Sequence, residues 1–160
     1  MKEIQLANGL GVAIIDDCDF ERISRYKWHI NKARNYTAYA RRKERGRAIP
    51  MQKEIMQPQE GFIVDHINRD GLDNRRSNLR IATASQNGAN RRKKKNATSI
   101  YLGVSIERGR NRPRAQITKD GKTIKLGRFD TERDAAAAYD AAAIELHGDF
   151  ATTNKSLGLL

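Results

Sequence analysis

Cysteine is almost absent from the chain, whose 160 residues include only Cys18. A single cysteine excludes an intramolecular disulfide framework and any zinc site built on a pair of cysteines. The sequence also lacks an apolar run of transmembrane length and the apolar core of a signal peptide. We therefore expect a soluble, intracellular protein that is not secreted and has no membrane partner.

Acidic residues are scarce beside basic ones, with 19 Asp and Glu against 31 Lys and Arg and a formal net charge of +12. Residues 91–128 hold 13 of the basic residues but only two acids, so this stretch carries +11 of the net charge. A polyanionic partner is the first interpretation, and a solvated basic face without a role is the alternative. Aromatic residues make up only 6% of the chain, which disfavours RNA binding by base stacking.

The sequence divides into three regions: a strand-rich part at residues 1–60, a polar segment with a basic run at 61–96, and a third region at 97–156. In the first region, residues 4–6 and 12–15 are predicted strands on either side of the turn signal Asn8-Gly9. Residues 19–26 and 48–56 are predicted short helices, the second stopped by Pro58 and Gly61.

The second region is predicted to form strand, loop, strand and helix in that order. The strands are residues 64–67 and 79–82, separated by a polar loop. Thr83 or Ser85 can cap a helix that passes Asn87 and reaches the basic run at 91–95. We interpret this run as a linker that contacts phosphates, although a nuclear-localisation-like patch or a solvated linker gives the same pattern.

The third region has the pattern of three strands and one helix. Residues 101–106, 112–119 and 122–129 are the predicted strands, and Asp120-Gly121 is a tight hairpin signal. Thr131 can cap an alanine-rich helix that stops at Gly148, with Asp134 completing an analogue of a capping box. The predicted fold class is therefore α+β, with a three-stranded antiparallel sheet packed on one α-helix.

Residues with metal-binding and proton-transfer chemistry stand in the second region. Asp65 and His66 lie between apolar Val64 and Ile67, where a strand is predicted. The carboxylate of Asp65 and the amide oxygen of Asn87 are hard ligands suited to one divalent ion, Mg²⁺ or Mn²⁺. His66 can deprotonate an attacking water. Adjacent residues of a regular strand point to opposite faces, so a bulge or twist is expected to bring Asp65 and His66 together.

The segment DHINRDGLDNRRSNLRIATASQN resembles the phage-type HNH homing endonucleases, whose pattern is DHINGxxLDNRxxNLRxxTxxxN. The resemblance implies a ββα-metal motif at residues 61–96 and metal-dependent hydrolysis of phosphodiester bonds in double-stranded DNA. It implies His66 as general base, Asp65 and Asn87 as metal ligands, and Asn78 as the residue that pins the loop. Asn74 and Asn90 are possible helpers. It also implies action on DNA in the cytoplasm of a bacterial or phage-infected cell.

The stretches YLGV, RAQI, LGRFDT, AAAAYDAAA and HG...A..N, between Tyr101 and Asn154, resemble the APETALA/ethylene-response-factor (ERF) DNA-binding domain. The resemblance implies a sheet that enters the major groove, supported by one helix. Strand alternation also predicts that Ile124 and Leu126 point towards the helix. The expected groove-facing residues are Ser105, Arg112, Gln116, Thr118, Lys125 and Arg128 from the resemblance, with Arg114 added from alternation. The alternative is that these arginines only hold phosphates.

Together the two resemblances predict a metal-dependent DNA endonuclease of homing or nicking type, targeted by its C-terminal part. The rival hypothesis is a sequence-specific DNA-binding regulator, or a nuclease remnant that no longer cuts. No protein partner is evident.

Overall fold

The computed structural model describes residues 1–7, 9, 11–31, 37–90, 97–107, 109 and 112–160. The chain divides into two compact units, Met1–Thr83 and Ala84–Leu160. Helices and strands are mixed in both units, which confirms the α+β class. The basic run at 91–95 and Asn8 of the expected turn lie outside the described residues. Within the described part of the chain, no helix is long and apolar enough to cross a membrane.

The first unit is built from short antiparallel strands and two short helices. The elements are β1 (Lys2–Gln5), β2 (Val12–Ile15), α1 (Asp17–Ile23), β3 (His29–Asn31), β4 (Tyr39–Glu44), β5 (Arg47–Pro50), α2 (Met51–Met56), β6 (Ile63–His66) and β7 (Leu79–Ala82). Strands β1 and β2 pair with each other, β3, β4 and β5 form a sheet in that order, and β6 pairs with β7.

One core serves the whole first unit. Trp28 lies at its centre with 1% of its surface exposed, and its indole N–H donates to the Ile23 carbonyl at 2.8 Å. That bond satisfies the one polar atom of a large buried side chain. The other large core residues come from five elements and include Ile4, Ile15, Ile23, Met51, Ile55 and Leu79.

The expected helix at 48–56 is wrong over its first three residues. Residues 48–50 belong to β5, because Ala48 and Ile49 pair with Lys43 and Arg42 of β4 across a tight turn. Pro50 ends the strand, and α2 begins at the next residue. Proline lacks an N–H for a sheet ladder, and its fixed φ suits the entry to a helix. The helix expected at 19–26 starts two residues earlier and ends at Ile23.

The second unit contains α3 (Ala84–Ala89), β8 (Val104–Ser105), β9 (Arg114–Lys119), β10 (Lys122–Arg128) and α4 (Glu132–His147). The sheet is antiparallel in the order β10-β9-β8, and α4 packs on it. The strand expected at 101–106 is shorter than predicted, because only Val104 and Ser105 pair with β9. Gly103 just before it has φ +77°, and a Cβ there would lie 1.9 Å from the Tyr139 ring.

The local signals of this unit are confirmed. Asp120 and Gly121 both have positive φ and join β9 to β10. The Thr131 hydroxyl accepts a hydrogen bond from the Asp134 N–H at 3.1 Å, so the predicted cap is formed. The buried residues of α4 are Ala135, Ala136, Tyr139, Asp140 and Ala143, and the half-buried Ala138, Ala142 and Leu146 flank them.

Candidate functional site

The two residues proposed for chemistry end strand β6. Asp65 pairs with Arg80 of β7, and His66 pairs with Leu79, without a register shift between Ile63 and His66. The ribbon therefore has no bulge here, so a bulge as the means of bringing Asp65 and His66 together is wrong, and a twist stays a prediction. Regular alternation directs the two side chains to opposite faces of the ribbon, and both are buried.

His66 is held in a buried polar setting. Its Nε2 lies 3.2 Å from Oδ1 of Asn74, and its ring centroid lies 5.6 Å from that of Tyr39. Burial lowers the pKa of His66 below its ordinary value and outweighs the hydrogen bond to Asn74 and the charge of Asp65, which raise it. A lowered pKa favours the neutral imidazole, which is the protonation state that a general base needs.

Asn74 is fixed on both sides, with none of its surface exposed. Its backbone N–H donates to the Ile14 carbonyl at 2.7 Å, and its Nδ2 donates to the Gly71 carbonyl at 3.4 Å. The amide oxygen is thereby directed at His66, so the Nε2 of the neutral ring carries the proton that it donates to Asn74. The ring lone pair then resides on Nδ1.

Asn78 lies across the loop that follows His66. Its Oδ1 accepts from the Asn68 N–H at 2.9 Å, and its Nδ2 donates to the Asp73 carbonyl at 2.7 Å and to Oδ1 of Asn68 at 3.0 Å. One buried amide thus joins two points of the loop to the start of β7. This placement is the one expected of a loop-pinning residue, and its catalytic importance stays a prediction.

Arginines anchor the same loop, and the sequence analysis missed them. Arg75 makes a two-bond ion pair with Asp73 at 2.7 Å for each bond, and this pair lowers the pKa of the Asp73 carboxyl. Arg76 makes a second such pair with Asp19 of α1, at 2.7 and 2.9 Å. The adjacent arginines within NRRSN were the available signal. The partner of Arg75 lies two residues before it, whereas the partner of Arg76 lies in α1.

Asp65 is also paired. Its Oδ2 accepts from Nε and Nη2 of Arg80 at 2.9 and 2.8 Å, so a buried carboxylate has its charge balanced by a partly buried guanidinium. Arg80 was not singled out from the sequence, and only the β6–β7 register shows the pairing.

The protein residues fit a hard, hydrated ion in their donor chemistry. Among the described residues no group of three or more His, Cys, Asp or Glu side chains gathers as a metal cage. Mg²⁺ keeps several waters and is commonly held by one or two protein oxygens, so a carboxylate such as Asp65 is a suitable donor. Asn87 is exposed on α3, which belongs to the second unit, and its role as ligand stays a prediction.

The sheet of the second unit collects most of the residues expected to face DNA. Ser105 pairs with Arg114, Arg114 with Arg128, and Gln116 with Lys125, so these side chains share one face. Residues Ala115 and Ile117 of β9 alternate with them and are buried towards α4. Thr118 continues the polar face opposite Thr123. Whether this face binds DNA stays a prediction.

Acidic side chains lie among these arginines. Glu107 bridges Arg114 and Arg128, with oxygen–nitrogen distances of 3.2 and 2.7 Å. Arg112 lies before β9 rather than in it and pairs with Asp130 at 3.0 Å. Leu126 packs into the core as expected. Ile124 pairs with the buried Ile117 and therefore lies on the same face of the sheet, as expected, although 40% of its surface is exposed.

The family model for HNH endonucleases matches residues 57–89, which contain β6, the polar loop and β7. The chain is 35% identical over 138 residues to the uncharacterized HNH endonuclease L560 of Acanthamoeba polyphaga mimivirus, covering 83% of this chain and 69% of that protein. It is 33% identical over 91 residues to Protein 3.8 of Escherichia phage T7, covering 57% of this chain and 74% of that protein.

A separate likeness joins part of the chain to plant proteins. Over 67 residues the chain is 42% identical to APETALA2-like protein 2 of Oryza sativa, which covers 42% of this chain but 15% of that protein. This partial match is weak support for an APETALA/ERF domain. The match to the viral HNH endonuclease spans most of both proteins, and HNH nucleases generally depend on a divalent metal ion and act on DNA. The protein is a nuclease and belongs to the HNH endonuclease family.

Proposed function

We propose that the protein hydrolyses phosphodiester bonds in double-stranded DNA with His66 as the general base. The observation that carries this proposal is the hydrogen bond from His66 Nε2 to Asn74, inside a loop pinned by Asn78. It supports a ring with one defined tautomer, and burial of that ring lowers its pKa. In the proposed step, Nδ1 takes a proton from water, the water oxygen attacks phosphorus, and the bond to the leaving oxygen breaks.

We further propose that Asp65 and Asn87 hold one Mg²⁺ or Mn²⁺ ion. A divalent ion there would stabilise negative charge on the phosphate and on the leaving oxygen. Binding requires Asp65 to share its carboxylate with Arg80, which already donates two hydrogen bonds to it. The Arg80 guanidinium orients this carboxylate through those two bonds. The assignment of Asn87 rests on the match of QN in this chain to the end of the family pattern.

The second unit is proposed to select the DNA, as a major-groove binding domain in an endonuclease of homing or nicking type. Support comes from the shared polar face of β8, β9 and β10 and from the partial likeness to an APETALA2-like protein. An arginine can read guanine and a glutamine can read adenine through paired hydrogen bonds. Arg114 and Gln116 are the candidates on the central strand, with Ser105, Arg112, Thr118, Lys125 and Arg128 around them.

The metal part of this proposal is tested by nicking of supercoiled plasmid. We expect cleavage with Mg²⁺ or Mn²⁺, none in EDTA, and loss of activity in Asp65→Ala and Asn87→Ala. Mn²⁺ should partly rescue Asn87→Ala, since a hydrated ion loses one oxygen ligand of several. Wild-type nicking in EDTA would exclude the metal-dependent mechanism, and an active Asn87→Ala variant in Mg²⁺ would remove Asn87 as a ligand.

A further inference from the structure

The two faces of strand β4 differ sharply in how their charged side chains are used. The register of the β3–β4–β5 sheet places Ala40 and Arg42 on the face towards the core of the first unit. Tyr39, Arg41 and Lys43 alternate with them and occupy the opposite face, which we call the outer face.

Arg42 on the core side is fully engaged. It lies 2.9 Å from Glu54 and 3.2 Å from Glu44, and its guanidinium stacks 4.1 Å from the centroid of the Tyr26 ring. Only 7% of the residue is exposed. Arg42 therefore helps to hold α2 against the sheet, and its charge is already balanced by the two carboxylates.

Arg41 and Lys43 on the outer face have the opposite status. Within the described part of the chain, neither side chain makes an ion pair or a hydrogen bond, and Nε of Arg41 is buried without a partner. The acidic partners of this hairpin, Glu44 and Glu54, are taken by Arg42. Two neighbouring cations without acidic partners form a surface that suits an anion.

The outer face leads to the proposed catalytic residue. Tyr39 begins this face, and its ring lies 5.6 Å from the His66 ring at an angle of 55°. Gly71 of the polar loop lies so close that a Cβ there would be 2.3 Å from the Ala38 carbonyl oxygen and 2.4 Å from the Tyr39 ring. The row Tyr39, Arg41 and Lys43 thus starts beside His66 and runs away from it along one strand.

We infer that the outer face binds the sugar-phosphate backbone of the DNA strand that His66 attacks, with Arg41 and Lys43 contacting separate phosphates. Alternate residues of a strand are about 6.8 Å apart, which is two base-pair rises along one DNA strand. The inference rests on the proposed role of His66. It adds a binding surface for the cleaved strand next to the catalytic residue. DNA backbone matches the surface because it presents a regular row of anions to a row of unpaired cations.

Binding of the full chain to a 40-bp duplex of mixed sequence, in EDTA and over a range of salt concentrations, tests this surface. Each phosphate contact contributes roughly −0.9 to the slope of log K against log salt. Arg41→Ala with Lys43→Ala should make that slope less steep by about 1.8. Arg41→Lys with Lys43→Arg should keep the wild-type slope, because phosphate contacts require the charge.

Lys53→Ala is the matched control, since Lys53 is exposed on α2, the helix that carries Glu54 to the core side of the sheet. It loses a charge without touching the outer face and should bind like wild type. Lys43→Ala alone removes an exposed side chain and should give half of the change, which keeps the test valid if loss of Arg41 disturbs folding. A wild-type slope in both the double variant Arg41→Ala with Lys43→Ala and the single variant Lys43→Ala overturns the inference.

Plasmid nicking separates this inference from the proposed function. If His66→Ala abolishes nicking while the double alanine variant binds with the wild-type slope, the outer face is not the binding surface and the catalytic site stands. If His66→Ala nicks at the wild-type rate, the catalytic site is wrong, and with it the alignment of the face to a cleaved strand. A reduced slope together with an inactive His66→Ala supports both.

Discussion

The polar loop of the first unit and the sheet face of the second unit use their polar residues in opposite ways. In the first unit, Asn74 and Asn78 are buried and hydrogen-bond to other parts of the polar loop or to His66. In the second unit, Gln116 and Lys125 lie opposite each other on an accessible sheet face. The difference indicates that the first arrangement fixes a geometry, as chemistry requires, whereas the second leaves side chains able to contact a partner. Substitutions in the two units should therefore fail in different ways.

Asn78→Ala should have the largest effect, on both stability and cleavage. It removes the partner of the buried Asp73 carbonyl and two hydrogen bonds to Asn68, which should lower the free energy of unfolding by about 2–3 kcal/mol. Cleavage should fall by about a hundredfold or more, since the loop no longer holds His66. Urea denaturation and plasmid nicking measure the two effects. Gln116→Ala is the comparison from the exposed face and should leave stability within about 0.5 kcal/mol of wild type; equal losses in both variants would break the contrast.

Arg80→Ala should destabilise the first unit through Asp65. Removing the guanidinium leaves a buried carboxylate uncompensated, and we expect a loss of about 2 kcal/mol, below the cost for a fully buried pair because Arg80 is partly exposed. Arg80→Lys keeps the charge but not the two-bond geometry and should fall between. Thermal or urea unfolding measures the loss of stability. Arg25→Ala, which breaks the exposed ion pair with Glu21, is the control. Equal losses of stability in Arg80→Ala and Arg25→Ala would contradict the role of Arg80.

Asn74→Ala should slow cleavage about tenfold without loss of DNA binding, because the His66 tautomer is no longer fixed. Asn74→Asp keeps an oxygen acceptor towards Nε2 and should retain most of the tautomer preference. Nitrogen-15 chemical shifts of the His66 ring report the tautomer directly, which a purely structural role would not alter. A ring protonated on Nδ1 in the wild type would show that the hydrogen bond to Asn74 does not orient the base.

Elements decided by neighbouring residues were the most predictable from sequence. The Asp120-Gly121 hairpin and the Thr131 cap depend on residues within three positions, and both were predicted. Residues 48–50 were misassigned because their strand pairing with β4 is a contact that periodicity in a short segment does not encode.

In the candidate site, too, residues of one short segment were predictable from sequence, whereas their partners elsewhere in the chain were not. The motif located Asp65, His66 and Asn78, which lie in one short segment. The partnership of Asp65 with Arg80 depends on strand register, and that of Arg76 with Asp19 joins residues 57 positions apart. The bulge expected near Asp65 is absent. It was expected so that Asp65 and His66 could share a site, but alternation along a strand gives only the directions of side chains and does not require neighbouring residues to share a site.

Glu107→Gln should have the smallest effect and should strengthen DNA binding. It removes the carboxylate that bridges Arg114 and Arg128, which leaves both guanidiniums available to phosphates or bases. Since exposed pairs contribute only about 0.2–1 kcal/mol, the gain should be about threefold at low salt and smaller at high salt. Glu145→Gln, an exposed residue of α4, changes the charge equally and serves as control. Equal gains in both variants would point to net charge rather than to the sheet face.

The rate of single-turnover nicking by His66→Ala, at saturating supercoiled plasmid with Mg²⁺, tests the central claim most directly. His147→Asn in the second unit is the matched histidine control, and DNA affinity and far-UV circular dichroism are measured on the same preparations. We expect the His66→Ala rate to fall by about a hundredfold or more, with wild-type DNA affinity and an unchanged His147→Asn rate. A folded His66→Ala protein that nicks at the wild-type rate would contradict the assignment of His66 as the base.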